Sequence, residues 1–507
     1  MTPFPPVSPL DEYNRTLLDN VRPEDWKNPK RAGRYNLVVV GAGSAGLITA
    51  AIAAGLGARV ALIERHLLGG DCLNVGCVPS KAVIRASRLV AEARRAAELG
   101  LLRVSEEPGD FAKAMQRMRR VRAQISAEDA ALRYRDELGI DVYRGEARFT
   151  GPDRLEVSGD TLRFKKAVIA TGARAAAPPI EGLEDAGYLT NETLFNLTEC
   201  PRRLGVVGGG PIGCEMAQAF RRLGAEVVVF DMAPHVLVRE DADAAAIVQQ
   251  ALLRDGVRLV LGCQLDRIEK RGNEKAVHVR CHDQSEEFVV DEILVAVGRA
   301  PNLEELGLEA AGVEADPKRG VRVDDHLRTT NKRIFAAGDI CMDWKFTHAA
   351  DAAAKIVVQN ALFFPTKKLS DLVMPWCTYT DPEVAHVGLY EIQARERGIE
   401  VDTFKVPLSE VNRAVADGEE DGFVKIVVKR GSDRILGATV VAAHAGEMIS
   451  EISLAMVGKL GLSTILNTIH PYPTQAEGIK RAAGLWIRGR MTPRLKRLLE
   501  VWMLLRR

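Results

Sequence analysis

Two cysteines, Cys72 and Cys77, stand in the run GGDCLNVGCVPSK from Gly69 to Lys81, and no other stretch has residue types so directly suited to chemistry. A thiol pair can take up and release two electrons by opening and closing a disulfide, provided its Cα atoms come within about 4.4–6.8 Å. Two positions five apart on a regular helix are too distant and diverge. Asn74 and Gly76 instead permit a tight loop that folds Cys72 back toward Cys77. Pro79 is tolerated only in a first helical turn, which predicts a helix starting near Cys77. A thiol there feels the positive end of the helix dipole, which favours thiolate. A C-x4-C pair also suits half a zinc site, but no matching Cys or His pair lies at suitable spacing. The remaining cysteines (Cys200, Cys214, Cys263, Cys281, Cys341 and Cys377) form no C-x-x-C and read as small buried or incidental residues.

Such a pair needs an electron source and a scaffold to aim it. The apolar run ending at Val40 suits a buried parallel strand and leads straight into GAGSAG, with Gly41, Gly43 and Gly46. An Ala-rich helical stretch over 47–57 and a second strand, Arg59 to Ile63, follow, and Glu64 ends the unit. The arrangement recurs: strand 204–207, the run GGGPIG with Gly208, Gly210 and Gly213, a helix, the strand Glu226–Phe230, and Asp231. Each acid stands 23 residues after its first glycine. Strand, glycine triplet, helix and acid together are the context of a dinucleotide site. The glycines permit the turn and the approach of a pyrophosphate, the helix N-terminus attracts it, and the acid accepts from ribose hydroxyls. Two units imply two dinucleotides. Asp231 repels a 2′-phosphate, so NADH is preferred over NADPH, with His235 and Arg239 near enough to soften that preference.

With 507 residues the chain calls for two to four domains, and its net charge of +1 gives no field favouring nucleic acid. Eight cysteines are too few for a secreted disulfide scaffold, and neither a signal peptide nor a membrane span is read. The expected location is cytoplasmic. Residues 1–34 read as an extended arm. Helical stretches are expected over 80–99 and 110–138, the second Arg-rich and read as a solvated face rather than an anion-binding one. A β-rich meander over 255–297 and a C-terminal domain over 370–485 follow, the latter with strands near 403–406, 423–428 and 435–442 and a helix near 446–460.

The order of first glycine motif, redox cysteines, second glycine motif and the run TNKRIFAAGD ending at Asp339 resembles the class I pyridine nucleotide–disulfide oxidoreductases, which include glutathione reductase, dihydrolipoyl dehydrogenase and mercuric reductase. The resemblance covers about 35–485. It implies an α/β fold of two Rossmann-like dinucleotide-binding domains plus a C-terminal α+β dimerisation domain. FAD would occupy 35–172 and 299–365, NAD(P)H would occupy 173–298, and the chain would be a homodimer. FAD would be held by Gly41, Gly43, Gly46, Glu64, Thr171, Gly172 and Asp339. Gly208, Gly210, Gly213, Asp231 and Arg299 would serve the NAD(P)H side. Lys81 and Glu215 match a family pair beside the flavin. Electrons would pass from NAD(P)H through flavin to Cys77, the flavin-side thiol, and then to Cys72, the interchange thiol.

Disulfide-reducing members carry a His-Pro base near the C-terminus, with a Glu five residues after the His that orients it. Here the run is TIHPYPTQAEG, and anchoring on Pro473, Thr474 and Glu477 puts Tyr472 at the base position. Mercuric reductases resemble this stretch. A shifted loop with His470 as base is the alternative and would suit a dihydrolipoyl dehydrogenase-like enzyme. The adjacent cysteine pair that ends mercuric reductases is absent, as is an N-terminal C-x-x-C domain. Asp71, where many relatives have Thr, adds negative charge beside the redox pair. The acceptor is therefore expected to be a small molecule or metal ion. Residues 486–507 read as a basic amphipathic tail, suited to peripheral contact with the inner membrane surface and a quinone-type acceptor, or to packing on the protein itself. A redox-sensing flavoprotein that turns over slowly is the non-enzyme alternative.

Overall fold

The computed structural model describes residues 5–30, 32–103, 109–282 and 284–506. By its contacts the chain forms two compact units, Met1–Gly208 with Ala219–Met232 and Val257–Leu372, and Gly209–Gln218 with Ala233–Gly256 and Val373–Arg507.

In the first unit, strand Arg34–Val40 lies at the centre of a seven-stranded sheet, parallel to Val60–Glu64 on one side and Asp160–Ile169 on the other. Leu37, Val38 and Val39 are fully buried, as a strand covered on both faces requires. Strand Arg203–Val207 lies inside a four-stranded parallel sheet, flanked by Glu226–Asp231 and Glu292–Val295. The sequence repeat is a structural one. Gly41 N–H donates to Ile63 O and Gly208 N–H to Phe230 O, each at 2.8 Å, with both glycines in the left-handed region. An antiparallel meander, Gln264–Arg271, Glu274–Cys281 and Gln284–Val290, packs its apolar side chains with those of the parallel sheet.

The meander corrects one expectation. Cys263 and Cys281 are joined in a disulfide with Cα atoms 4.5 Å apart. Gln264 pairs with Arg280, so the two cysteines extend that register by one position. Strand pairing, which residue spacing does not reveal, brings them together.

The N-terminal segment is not simply extended. Asp11 caps a helix, Glu12–Val21, by accepting from Asn14 N–H at 2.9 Å, and Asn14, Leu17 and Val21 are buried along one side. Met1–Phe4 and Arg31 of that segment lie outside the described residues. The Arg-rich helix runs only over Phe111–Ile125, because the Ser126 hydroxyl bonds back to Ala123 O at 2.6 Å and a 3-10 turn follows.

The second unit is built on a five-stranded antiparallel sheet ordered Pro375–Thr378, Glu383–Gly388, Ile435–Ala442, Phe423–Lys429, Val401–Pro407. Helices Ala445–Val457 and Glu477–Gly489 close a core that includes Val424, Ile426, Val440, Ile452, Ile479 and Trp486. The first two strands were not read in the sequence, since they are short and meet at the turn of Asp381 and Pro382. The overall class is the α/β architecture the motifs imply.

Candidate active site

The redox loop is shaped by backbone. Gly69 and Gly70 have positive φ and turn the chain into a five-residue helix, Gly70–Asn74. The Asn74 side-chain amide donates to Leu68 O and Gly70 O, both at 2.9 Å, and so draws the loop shut. Helix Cys77–Glu98 then begins at Cys77 itself, where the Pro79 argument puts it. In this loop Cys72 is half-buried and Cys77 exposed. Cys77 Sγ lies 3.5 Å from Thr347 Oγ1, a residue the sequence did not single out. The Cys72 thiol is pushed above its ordinary pKa, first by hydrogen bonding to Cys77 and then by burial.

A buried arginine braces this loop. Arg122 Nη1 donates to Asn74 O, between the two cysteines, at 2.6 Å, and Nη2 donates to Asn14 Oδ1 at 2.7 Å. Arg119 pairs with Asp11 at 2.6 Å. Arg122 is only 2% exposed and Arg119 is buried too, so on their side the basic helix, whose Lys113 and Arg120 stay exposed, is not a solvated face. It is a bracket between the N-terminal helix and the redox loop. Burial lowers the Arg122 guanidinium to about 10, leaving it charged at neutral pH.

The first dinucleotide cradle forms around Gly41. A Cβ on Gly41 would lie 2.3 Å from Ala170 O, and one on Gly46 would lie 1.8 Å from Gly41 O. Both positions demand glycine. Glu64 accepts from Ala42 N–H at 2.7 Å and His66 N–H at 2.8 Å, and burial raises its pKa against those bonds. Gly41, Glu64 and Thr171 line one cleft with Asn302 and Glu304. Thr171 and Gly172 are held by Asn302, whose Nδ2 donates to Thr171 O at 2.9 Å and whose N–H donates to Gly172 O at 3.0 Å. Close backbone approach, a ribose acid and a pinned strap fit a bound dinucleotide.

Arg299, expected on the NAD(P)H side, makes contacts the sequence did not signal. Its guanidinium contacts Asp71 of the redox loop, donates to Ala173 O at 2.6 Å, and lies 3.3 Å from Asp339. It corrects the expectation for Asp71, whose charge is matched by an ion pair. Burial pushes the Asp339 carboxyl up, and Arg299 opposes that shift.

At the second dinucleotide motif Gly208 and Gly210 lead into helix Pro211–Arg222, Gly213 lies in its first turn, and Asp231 closes its strand, with its carbonyl accepting from Cys263 N–H at 3.2 Å. Glu215, four residues into that helix, is buried and accepts from Tyr379 N–H at 2.9 Å. Lys81 stands in the first turns of the redox helix.

The C-terminal loop separates its candidates. His470 Nε2 lies 2.9 Å from Glu451 Oε1 and its side chain is 6% exposed. Tyr472 is 69% exposed, and its hydroxyl accepts from Asn412 Nδ2 at 3.0 Å. Glu477 orients neither of them. It is taken by Arg481 at 3.0 Å, one helical turn on. Glu451 and Asn412 carried no signal in the sequence beyond being polar.

A family model described as pyridine nucleotide-disulphide oxidoreductase matches residues 35–354, and the dimerisation domain of the same family matches 374–483. A mercuric reductase of Lysinibacillus sphaericus is 36% identical over 89% of this chain and 82% of its own length. A dihydrolipoyl dehydrogenase of Thermus scotoductus is 35% identical over 89% of this chain and 96% of its own. Among solved structures, the Cu(II) complex of the HOCl-induced flavoprotein disulfide reductase RclA from Escherichia coli superposes with a TM-score of 0.79 at 30% identity, over 88% of this chain and 98% of that one.

Proposed function

The chain belongs to the pyridine nucleotide-disulphide oxidoreductase family, and from that premise we propose that it reduces a soft metal ion of the Hg(II) type with electrons from NADH. It is an FAD-containing, NAD(P)H-dependent oxidoreductase, and its family dimerisation domain makes it one subunit of a homodimer. The chemistry supplied by FAD, when bound, is a two-electron relay from nicotinamide to the Cys72–Cys77 disulfide.

The chain's own residues divide the remaining work. Gly41, Gly43, Gly46, Glu64, Thr171, Gly172 and Asp339 would hold FAD, while Gly208, Gly210, Gly213 and Asp231 would hold NADH. Lys81 would supply a fixed positive charge to the reduced flavin. Cys77 is the flavin-side sulfur and Cys72 the exchange sulfur. When the dithiol closes again to a disulfide, two electrons pass to the metal ion and two protons leave the sulfurs. Soft thiolates suit soft metals.

The observation that carries the metal reading is the C-terminal loop. An exposed Tyr472 is presented while His470 is turned onto Glu451 and Glu477 onto Arg481. A tyrosine is a poor base at neutral pH, and thiol–disulfide exchange needs a base where a thiol-seeking metal does not. Tyr472 of one subunit would then complete the Cys72/Cys77 site of the other. The test is NADH oxidation with Hg(II), Cu(II), oxidised glutathione, lipoamide and quinones as acceptors. Preference for a metal ion, kept in His470→Ala, is expected. Efficient lipoamide turnover that His470→Ala abolishes would overturn the reading in favour of the dihydrolipoyl dehydrogenase-like one.

A second reading rests on the tail. Helix Pro493–Leu505, capped by Thr492, is exposed along its whole length, with Leu498, Trp502 and Leu505 (79% exposed) beside Arg494, Lys496, Arg497 and Arg506. Arg507 lies outside the described residues. Among the described residues no helix is long and apolar enough to cross a membrane. The helix suits the surface of an anionic bilayer, so the cytoplasmic enzyme would rest on the inner membrane face and reach a quinone. Salt-sensitive cosedimentation with phosphatidylglycerol vesicles, lost on deleting 491–507, is expected. No binding at low salt removes this reading.

A further inference from the structure

We propose that Cys263 and Cys281 form a second thiol–disulfide site, which a low-molecular-weight disulfide closes and which tightens the nicotinamide dinucleotide site through Asp231. The proposal rests on the assignment of Asp231 as the ribose acid of that site.

The two sulfurs are bonded across neighbouring meander strands, with Cα atoms 4.5 Å apart. Both side chains belong to one apolar cluster with Phe230 and Val260, residues of the parallel sheet that carries Asp231. Cys263 is the joint between the two sheets. Leu261 pairs with Asp231 as the last residue of its strand, Gly262 turns with φ of +68°, and Cys263 N–H donates to Asp231 O at 3.2 Å. A ribose-binding acid acts at the carboxyl end of its strand, and here that end is held by the backbone of a residue covalently tied to Cys281. Opening the bond leaves the 261–263 turn held by hydrogen bonds and packing alone. The turn can then shift, and Asp231 with it.

The chemistry balances without a metal or a cofactor. Cys281 is partly exposed and Cys263 buried, so the Cys281 thiolate attacks one sulfur of the small disulfide and releases one thiol. Cys263 then attacks the mixed disulfide at the Cys281 sulfur and releases the second. Two protein thiols and one disulfide give one protein disulfide and two small thiols, which carry off both electrons and both protons. The exchange leaves Cys72 and Cys77 out of the pathway. An oxidising environment thus strengthens dinucleotide binding at a point remote in sequence from the redox loop.

The test uses the FAD-loaded full chain carrying Cys72→Ser and Cys77→Ser, so that only the second site responds. After oxidised glutathione, peptide mapping should recover a cross-linked 263–281 pair, and after dithiothreitol it should not. Titration with NAD⁺ should show binding about five-fold or more tighter in the oxidised form. Adding Cys263→Ser and Cys281→Ser should fix the affinity at the reduced value under both conditions. Equal NAD⁺ affinity in the two states, or no cross-linked peptide after oxidation, overturns the proposal. Asp231→Ala separates the underlying assignment. If it leaves NAD⁺ affinity unchanged, the ribose role of Asp231 fails and the coupling through it with it; if it weakens NAD⁺ binding yet the redox response persists, the ribose role holds and the coupling through Asp231 is overturned.

Discussion

Arg299 sits between two carboxylates that are far apart in the chain, Asp71 in the redox loop and Asp339 just after strand Ile334–Ala336. Removing one partner of a buried ion pair leaves the others uncompensated, which costs far more than deleting an exposed pair. Asp71 is partly exposed, so water recovers part of that loss. Arg299→Met should therefore lower the unfolding free energy by about 2–3 kcal/mol, read from the urea midpoint. Adding Asp71→Thr should return part of it, because one of the stranded charges is gone. A midpoint unchanged in Arg299→Met would mean the contacts hold nothing. This residue also shows what a sequence motif leaves out. The position after Gly298 is legible, but which acid its long side chain reaches depends on how the chain folds back.

Between elements, the decisive contact is the bracket from the N-terminal helix through Arg122 to Asn74. Asn14→Ala would leave Arg122 Nη2 without that acceptor in a buried setting, a loss of about 1–3 kcal/mol. If the bracket also fixes the redox loop, loosening it exposes Cys72. Iodoacetamide should then label Cys72 faster in Asn14→Ala than in the wild type at equal pH, followed by mass spectrometry. A lower melting temperature with unchanged labelling would confine the helix to a stabilising role. No periodicity pointed to this bracket, since an arginine in a helix reads as solvated until a partner is found for it.

On the scale of the whole molecule, each unit has its own core, and the C-terminal one contains a pH-sensitive group. His386 is buried between Thr439 and Gly388 and stacked on Tyr390, and burial lowers its pKa to about 3. Its ordinary value is about 6.5. The depressed pKa means the fold prefers the neutral ring. That contribution is complete above pH 6.5 and drains away as pH falls toward 3. By pH 4 the loss amounts to roughly 3 kcal/mol. The melting temperature should drop between pH 7 and pH 4, and His386→Gln should flatten that drop. An equally steep fall in the variant would place the acid sensitivity elsewhere. What could be read in advance was local: glycines whose φ or close neighbours forbid a Cβ, a proline that starts a helix, and acids at strand ends. What could not be read was long-range: the 263–281 disulfide, the His470–Glu451 pair, and the N-terminal helix against Arg119 and Arg122. Those depend on topology, which spacing along the chain does not encode.

If electrons leave through Cys72 and Cys77, Hg(II)-dependent NADH oxidation by the FAD-loaded protein should fall at least about 100-fold in Cys72→Ser and in Cys77→Ser, with FAD still bound. Wild-type turnover in either serine variant would mean that the electrons take another route.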